Sequence, residues 1–211
     1  MFQKIDHVYN ALIKGLSPFL QEMGFDLKKK ETFKKQLKEC TQELNLDLRR
    51  IRGQEAGYVS ALPNIRFENL EKMTFTLKGE DYKRGWPTAA ANIGNLQSKR
   101  EFIEWPLSLT SDLSGLVETI TNQIQKSAEP FWNDFSNLNS LIKGYEAVDP
   151  RITLNGHGYR WSLAAGYCLR SEYDKAITLL LNWDAGRPSD SIIEKSINTI
   201  NQLKQDSTTR G

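Results

Sequence analysis

The sequence predicts an α+β fold: one antiparallel sheet of about four or five strands, an N-terminal helix before it, and C-terminal helices packed on one face. Three observations predict it. The first twenty residues carry apolar side chains at helical spacing. From residue 25 to about 106 the dominant period changes to two. From Thr110 to the end the helical period returns.

The opening helix is carried by Ile5, Val8, Tyr9, Leu12, Leu16, Phe19 and Leu20, which recur at three- and four-residue steps and so share one face. Pro18 near its end predicts a kink or a new turn, and Gly24 predicts the stop. From Phe25, alternation over 27–37 reads as a first strand. Leu44, Leu46 and Leu48 alternate with Asn45, Asp47 and Arg49 as a half-buried second. A third runs over 58–67, where Pro63 argues for an edge strand or a break. Met73 to Leu77 reads as a short fourth, and Phe102, Glu104 and Pro106 as a closing fifth. Residues 79–100 hold Gly85, Pro87 and Gly94 and read as a long loop or two short pieces.

Beyond it, Thr110, Ser111 and Asp112 are N-cap residues for a helix with the stripe Leu113, Leu116, Val117, Ile120 and Ile124. Pro130 fits the first turn of a helix carrying Phe131, Phe135, Leu138, Leu141 and Ile142 and ended by Gly144. Asp149-Pro150 marks a turn. We therefore expect an α+β domain over 1–148 and a helical subdomain over 149–211 docked on the same core. The subdomain reads as three helices, near 158–169, 173–183 and from Ser189 or Asp190 onward, fraying from Asp206.

Composition sets function classes aside. With 211 residues, 39% hydrophobic and 26% charged, the chain is ordinary for a globular protein. Its net charge of +2 makes no polyanion argument by itself. Cys40 and Cys168 are far apart and lack a CxxC spacing, so they read as reduced thiols in a cytoplasmic protein. The start carries Asp6, His7, Asn10 and Lys14 where a secretory leader needs an apolar core. No run approaches a membrane span.

Catalytic and cofactor chemistry leave little trace. Two distant histidines and two distant cysteines supply no metal set, and there is no phosphate-binding or dinucleotide glycine pattern, so no cofactor is expected. His157, in Asn155-Gly-His-Gly158 beside Tyr159 and Arg160, has no nucleophile placed next to it. No catalytic residue is named, and the enzyme reading stays secondary. The carboxylate pairs Glu68 with Glu71 and Glu101 with Glu104 read as solvated surface charge.

Two surfaces invite partners. Residues 28–52 hold an excess of Lys and Arg, among them Lys30, Lys34 and Arg49, which on a hairpin could meet phosphates or an acidic partner. Glu43 and Asp47 would face those lysines if the hairpin turns near Cys40, and this disfavours the nucleic-acid reading. The second surface is Trp86 with Arg84, in the basic loop Lys83-Arg-Gly-Trp-Pro87. An aromatic on a loop beside cations anchors partners.

The helix ALIKGLSPFLQEMGF passes into KKKETFKKQ, then into ELNLDLRRI, YVSALPNIRF and a late EPFWNDF. Over roughly residues 1–145 this resembles a bacterial family known as domain of unknown function 4304. The resemblance implies a helix ending in Gly24-Phe25, a basic strand with Phe33 buried, and no activity; an immunity-like role would fit. AAGYCLRSEYDKAI (164–177) is similar to the middle of a tetratricopeptide repeat. Tyr167, Tyr173 and Ala176 stand at its motif positions and Ser171 replaces the turn glycine. No second copy is present, so it implies a tight helical hairpin rather than a solenoid.

The leading expectation is a non-catalytic module that contacts an unknown protein partner. One alternative is a small-molecule binder or enzyme with a cleft near His157, Tyr159 and Arg160. Another is a nucleic-acid binder acting through 28–52.

Overall fold

A computed structural model describes residues 3–29, 31–154, 156–183 and 186–209 of the chain, and only the backbone of Gln3 and His157. It is α+β: an N-terminal helix, a six-stranded antiparallel sheet and several C-terminal helices. The chain divides into two compact units, Met1–Ile65 with Ala90–Asp134, and Arg66–Ala89 with Phe135–Gly211. The boundary expected at 148/149 falls inside the second unit, where the helix before it packs on the helix after it.

The first unit begins with α1 (Gln3–Glu22). Its predicted stripe is buried at Ile5, Tyr9, Leu12, Leu16 and Leu20, and the helix runs through Pro18. The sheet runs β1 (Asp26–Lys29), β2 (Thr32–Gln36), β3 (Thr41–Arg50), β4 (Ala56–Arg66) and β5 (Ala89–Ala90), with β6 (Trp105–Ser108) also paired to β4. The single strand expected over 27–37 is instead a hairpin, with Leu27 opposite Phe33 and Lys29 opposite Thr32. Between Leu27 and Phe33 the expected face carries only Lys29 and Glu31, so no apolar side chain holds the strand straight where the hairpin turns.

Pro63 does not mark an edge, because β4 lies between neighbours on both sides. Its carbonyl accepts from the Ala91 N–H at 3.2 Å. A strand residue's N–H and C=O point to the same side, so the proline's missing donor faces two-residue β5 and not the long β3.

Asp112 caps α3 (Leu113–Gln123), its carboxylate accepting from the Ser114 and Gly115 N–H groups at 3.1 and 3.2 Å. A π-helical turn at Ile124–Ala128 leads into α4 (Glu129–Asp134). There Trp132 locks the core. Its ring lies 4.7 Å from that of Phe25, its indole N–H donates to the Asn64 carbonyl at 3.1 Å, and its own carbonyl accepts from Gln42 at 3.0 Å. Tyr9 closes the other end by donating to the Leu46 carbonyl at 2.6 Å.

The second unit is helical: α2 (Glu68–Lys78), α5 (Leu138–Glu146), α6 (Tyr159–Leu169), α7 (Tyr173–Leu181) and α8 (Asp190–Thr209). The strand expected at Met73–Leu77 is the second half of α2. Leu70, Glu71, Thr74 and Phe75 are buried together, and that spacing is helical. Gly79, at φ 69°, ends α2 in the left-handed conformation that lets the Glu80 N–H reach back to the Phe75 carbonyl at 3.0 Å.

The helix expected from Pro130 through Ile142 is broken. Asn137 is extended, and its side chain accepts from the Ser140 N–H to start α5 afresh. Gly144 does not end that helix but lies inside it, where a Cβ would run into the Phe135 ring and Ile152. Helices α2 and α5 pack on α6, and α8 packs on α2 and α7. Ser196 of α8 donates to the Leu77 carbonyl at 2.5 Å, and Trp161 and Trp183 meet edge to face at 5.2 Å. Ser171, at φ 60°, makes the tight turn between α6 and α7, and α8 continues as helix through Asp206 to Thr209. No helix among the described residues is long and apolar enough to cross a membrane.

Candidate functional site

A cavity of about 340 Å³ opens in the second unit, near the lower end of the small-ligand range. Three helices, the loop 80–88 and the segment between α5 and α6, through Ile152 and Gly158, build it. Helix α2 contributes Glu71, Thr74, Phe75 and Lys78, spaced three, four and seven residues apart and so on one face. Tyr145 comes from α5, and Tyr159 and Ser162 from α6, one turn apart. Lys83, Trp86, Pro87 and Thr88 come from the loop 80–88.

Glu71 is the unusual wall residue, a carboxyl with 4% exposure. Burial raises its pKa to about 7. A side-chain hydrogen bond with Thr88 and the charge of Lys78 oppose that rise without overcoming it. Thr88 is itself fixed, its hydroxyl oxygen accepting from the Phe67 N–H at 2.9 Å. That leaves the Thr88 proton to serve the Glu71 carboxylate.

Tyr145 is buried behind Glu71, its hydroxyl 3.4 Å from the Thr88 carbonyl and within reach of Ser162. Burial and the Glu71 carboxylate both hold this phenol protonated far above neutral pH. Its ring stacks on Tyr159 at 5.9 Å with 20° between planes. Thr74 also lines the cavity, but its hydroxyl oxygen is closed off within the wall and has no hydrogen-bond partner among the described residues. An unpaired hydroxyl of this kind carries a free-energy penalty unless water or a ligand reaches it.

Among the sequence-predicted site residues, the cavity brings together Trp86 and Tyr159. Trp86 is 57% exposed. Arg84 is exposed on the same loop. Gly158 lines the cavity; His157 sits beside it in the one-turn 3-10 helix Gly156–Gly158, its side chain outside those described. Arg160 is engaged elsewhere, donating to the Asn182 carbonyl at 3.3 Å with its guanidinium 5.9 Å from the Trp183 ring.

The basic hairpin belongs to the first unit. Lys30 lies outside the described residues. Lys34 pairs with Glu43, its neighbour in register, at 2.6 Å, as the hairpin geometry predicts. Arg49 pairs with Glu104 and lies over the Tyr58 ring at 4.6 Å, and Arg50 pairs with Asp6 at 2.6 Å. Much of the basic charge is therefore met within its own unit.

Sequence reasoning missed Glu71, Thr74 and Tyr145. Glu71 was expected on the surface with Glu68. Only Glu68 is there, half-exposed and paired with Lys72 at 2.9 Å. The available signal was the spacing of Leu70, Glu71, Thr74 and Phe75, which puts a carboxyl on the buried face once the segment is read as helix. No group of three or more His, Cys, Asp or Glu among the described residues could hold a metal ion. Comparison with protein-family models, curated proteins and solved structures returns no match to this chain.

Proposed function

We propose that the protein binds a small molecule in the cavity lined by α2, α5, α6 and the loop 80–88. One observation carries the reading: Glu71, a carboxyl residue with 4% exposure, lines a cavity together with the aromatic residues Phe75, Trp86, Tyr145 and Tyr159. A carboxyl is rarely buried without a partner charge, and one in a cavity wall can find that partner in a ligand. Aromatic walls with a few convergent polar groups are the usual composition of a ligand site.

The test is saturation-transfer NMR with a set of small aromatic amines, acids and alcohols, on wild type and on Ser162→Phe. The phenyl group would occupy the cavity from a half-buried position on α6. Compounds that bind wild type and are lost by a folded Ser162→Phe support the reading. Equal signals from the two proteins would refute it.

A second reading, contact with a protein partner through Trp86, draws on the exposure of that side chain. Immunity-like action would be one form of it. Trp86→Ala separates the two readings. It removes a partner held by the loop, whereas a ligand on Glu71 stays bound, with reduced affinity.

A further inference from the structure

We infer that the ligand of this cavity is an organic amine, its ammonium nitrogen meeting the Glu71 carboxylate in the space that Trp86 and Tyr159 also line. This rests on the reading of the cavity as a small-molecule site. Charge is the first argument. A buried carboxylate needs a countercharge or a full set of donors. The Thr88 hydroxyl is one donor, and Tyr145 directs its own hydroxyl toward Thr88 and Ser162. Lys78 acts on Glu71 through space from a full two turns along α2.

The second argument is the wall. Aromatic faces attract cations, and four aromatic residues, Phe75, Trp86, Tyr145 and Tyr159, line the cavity with Glu71; the Lys78 ammonium already lies 5.8 Å from the centre of the Phe75 ring, which leaves Trp86 and Tyr159 for a ligand. An anion would meet Glu71 unfavourably at the same place. The groups facing Glu71 can be named by element. Helix α2 gives Lys78, the loop after it gives Glu80 and Lys83, α5 gives Tyr145, and α6 gives Tyr159. Helix α8, which also packs on α2, gives no lining residue. An acidic substituent on the same amine would find Lys78 and Lys83, so an amino acid-like zwitterion fits as well as a simple amine.

The experiment uses four probes of similar shape: 2-phenylethylamine, phenylalanine, 2-phenylethanol and 3-phenylpropionate. Each is titrated into the full chain and followed by amide and Trp indole NMR shifts. At pH 8 the amines are expected to bind about tenfold or more tighter than the alcohol, the worth of a charge-assisted hydrogen bond. With Glu71 titrating near 7, ionisation drops from about nine-tenths at pH 8 to about one-tenth at pH 6, so amine affinity falls about tenfold. Glu71→Gln is expected to abolish both the preference and its pH dependence while leaving the alcohol bound. That retained binding also reports an intact cavity. The pH series is repeated in His157→Gln, because an imidazole titrates in the same range.

If the alcohol binds as tightly as the amines, or the preference survives in Glu71→Gln, the inference is overturned and the cavity reading stands. If none of the four probes shifts a cavity resonance, both fall together.

Discussion

Replacing Glu71 by Gln should stabilise the protein at pH 8 and do little at pH 4.5. The carboxyl ionises near 4.5 when exposed and near 7 when buried in α2. Between those values the native state holds a proton that the unfolded chain has released. Unfolding therefore releases a proton, and the contribution of this group to stability falls as pH rises. A shift of about 2.5 units corresponds to about 3 kcal/mol, fully expressed above pH 7. Glutamine has no proton to lose, keeps nearly the same shape, and can still accept from the Thr88 hydroxyl. The assay is urea denaturation of both proteins from pH 4.5 to 8, followed on the amides of α2 and α6. All other carboxyls are shared, so they cancel in the difference. The variant should gain on wild type steadily between pH 5 and 7. Two parallel stability profiles would show that Glu71 ionises normally in the folded protein, and the electrostatic description of the cavity would be wrong.

Two further outcomes are expected. Val148, half-exposed beyond α5, holds a left-handed conformation at φ 53° that disfavours a branched side chain; Val148→Gly should raise stability by about 0.5–1 kcal/mol after the added freedom of the unfolded chain is counted, and a loss in urea denaturation would contradict the strain argument. Burial, helped by Glu39, pushes the Cys40 thiol up to about 11, and burial alone pushes Cys168 up to about 12. Ellman's reagent at pH 8 should therefore label neither until denaturant is added, and rapid native labelling of either would overturn that description.

The sequence made the fold legible where apolar periodicity was unmixed. Ile5, Tyr9, Leu12 and Leu16 announce α1, and Leu44, Leu46 and Leu48 announce β3. Asp112 was visible as a cap because its chemistry is local. The site was illegible for a specific reason. Met73, Phe75 and Leu77 alternate with threonines and so mimic a strand, while the true helical face includes a glutamate and a threonine. A polar residue on a buried face erases the periodicity that would reveal the element carrying it. Trp86 and Tyr159 were found through local composition. Their neighbours in the cavity come from α2 and α5, which only tertiary packing brings beside them.

The path of the chain between its two units bears on how the protein is made. The backbone leaves the first unit after Ile65, lays down α2, returns at Ala90, and departs for good after Asp134. Helix α2 therefore emerges from the ribosome well before α5 and α6, against which its inner face packs. Until they arrive, Leu70, Phe75 and Leu77 have no shelter from their own unit, and Glu71 is hydrated and free to ionise. A charged glutamate in the middle of that face makes it less apolar over that interval. Its desolvation is deferred to the moment the last third of the chain docks.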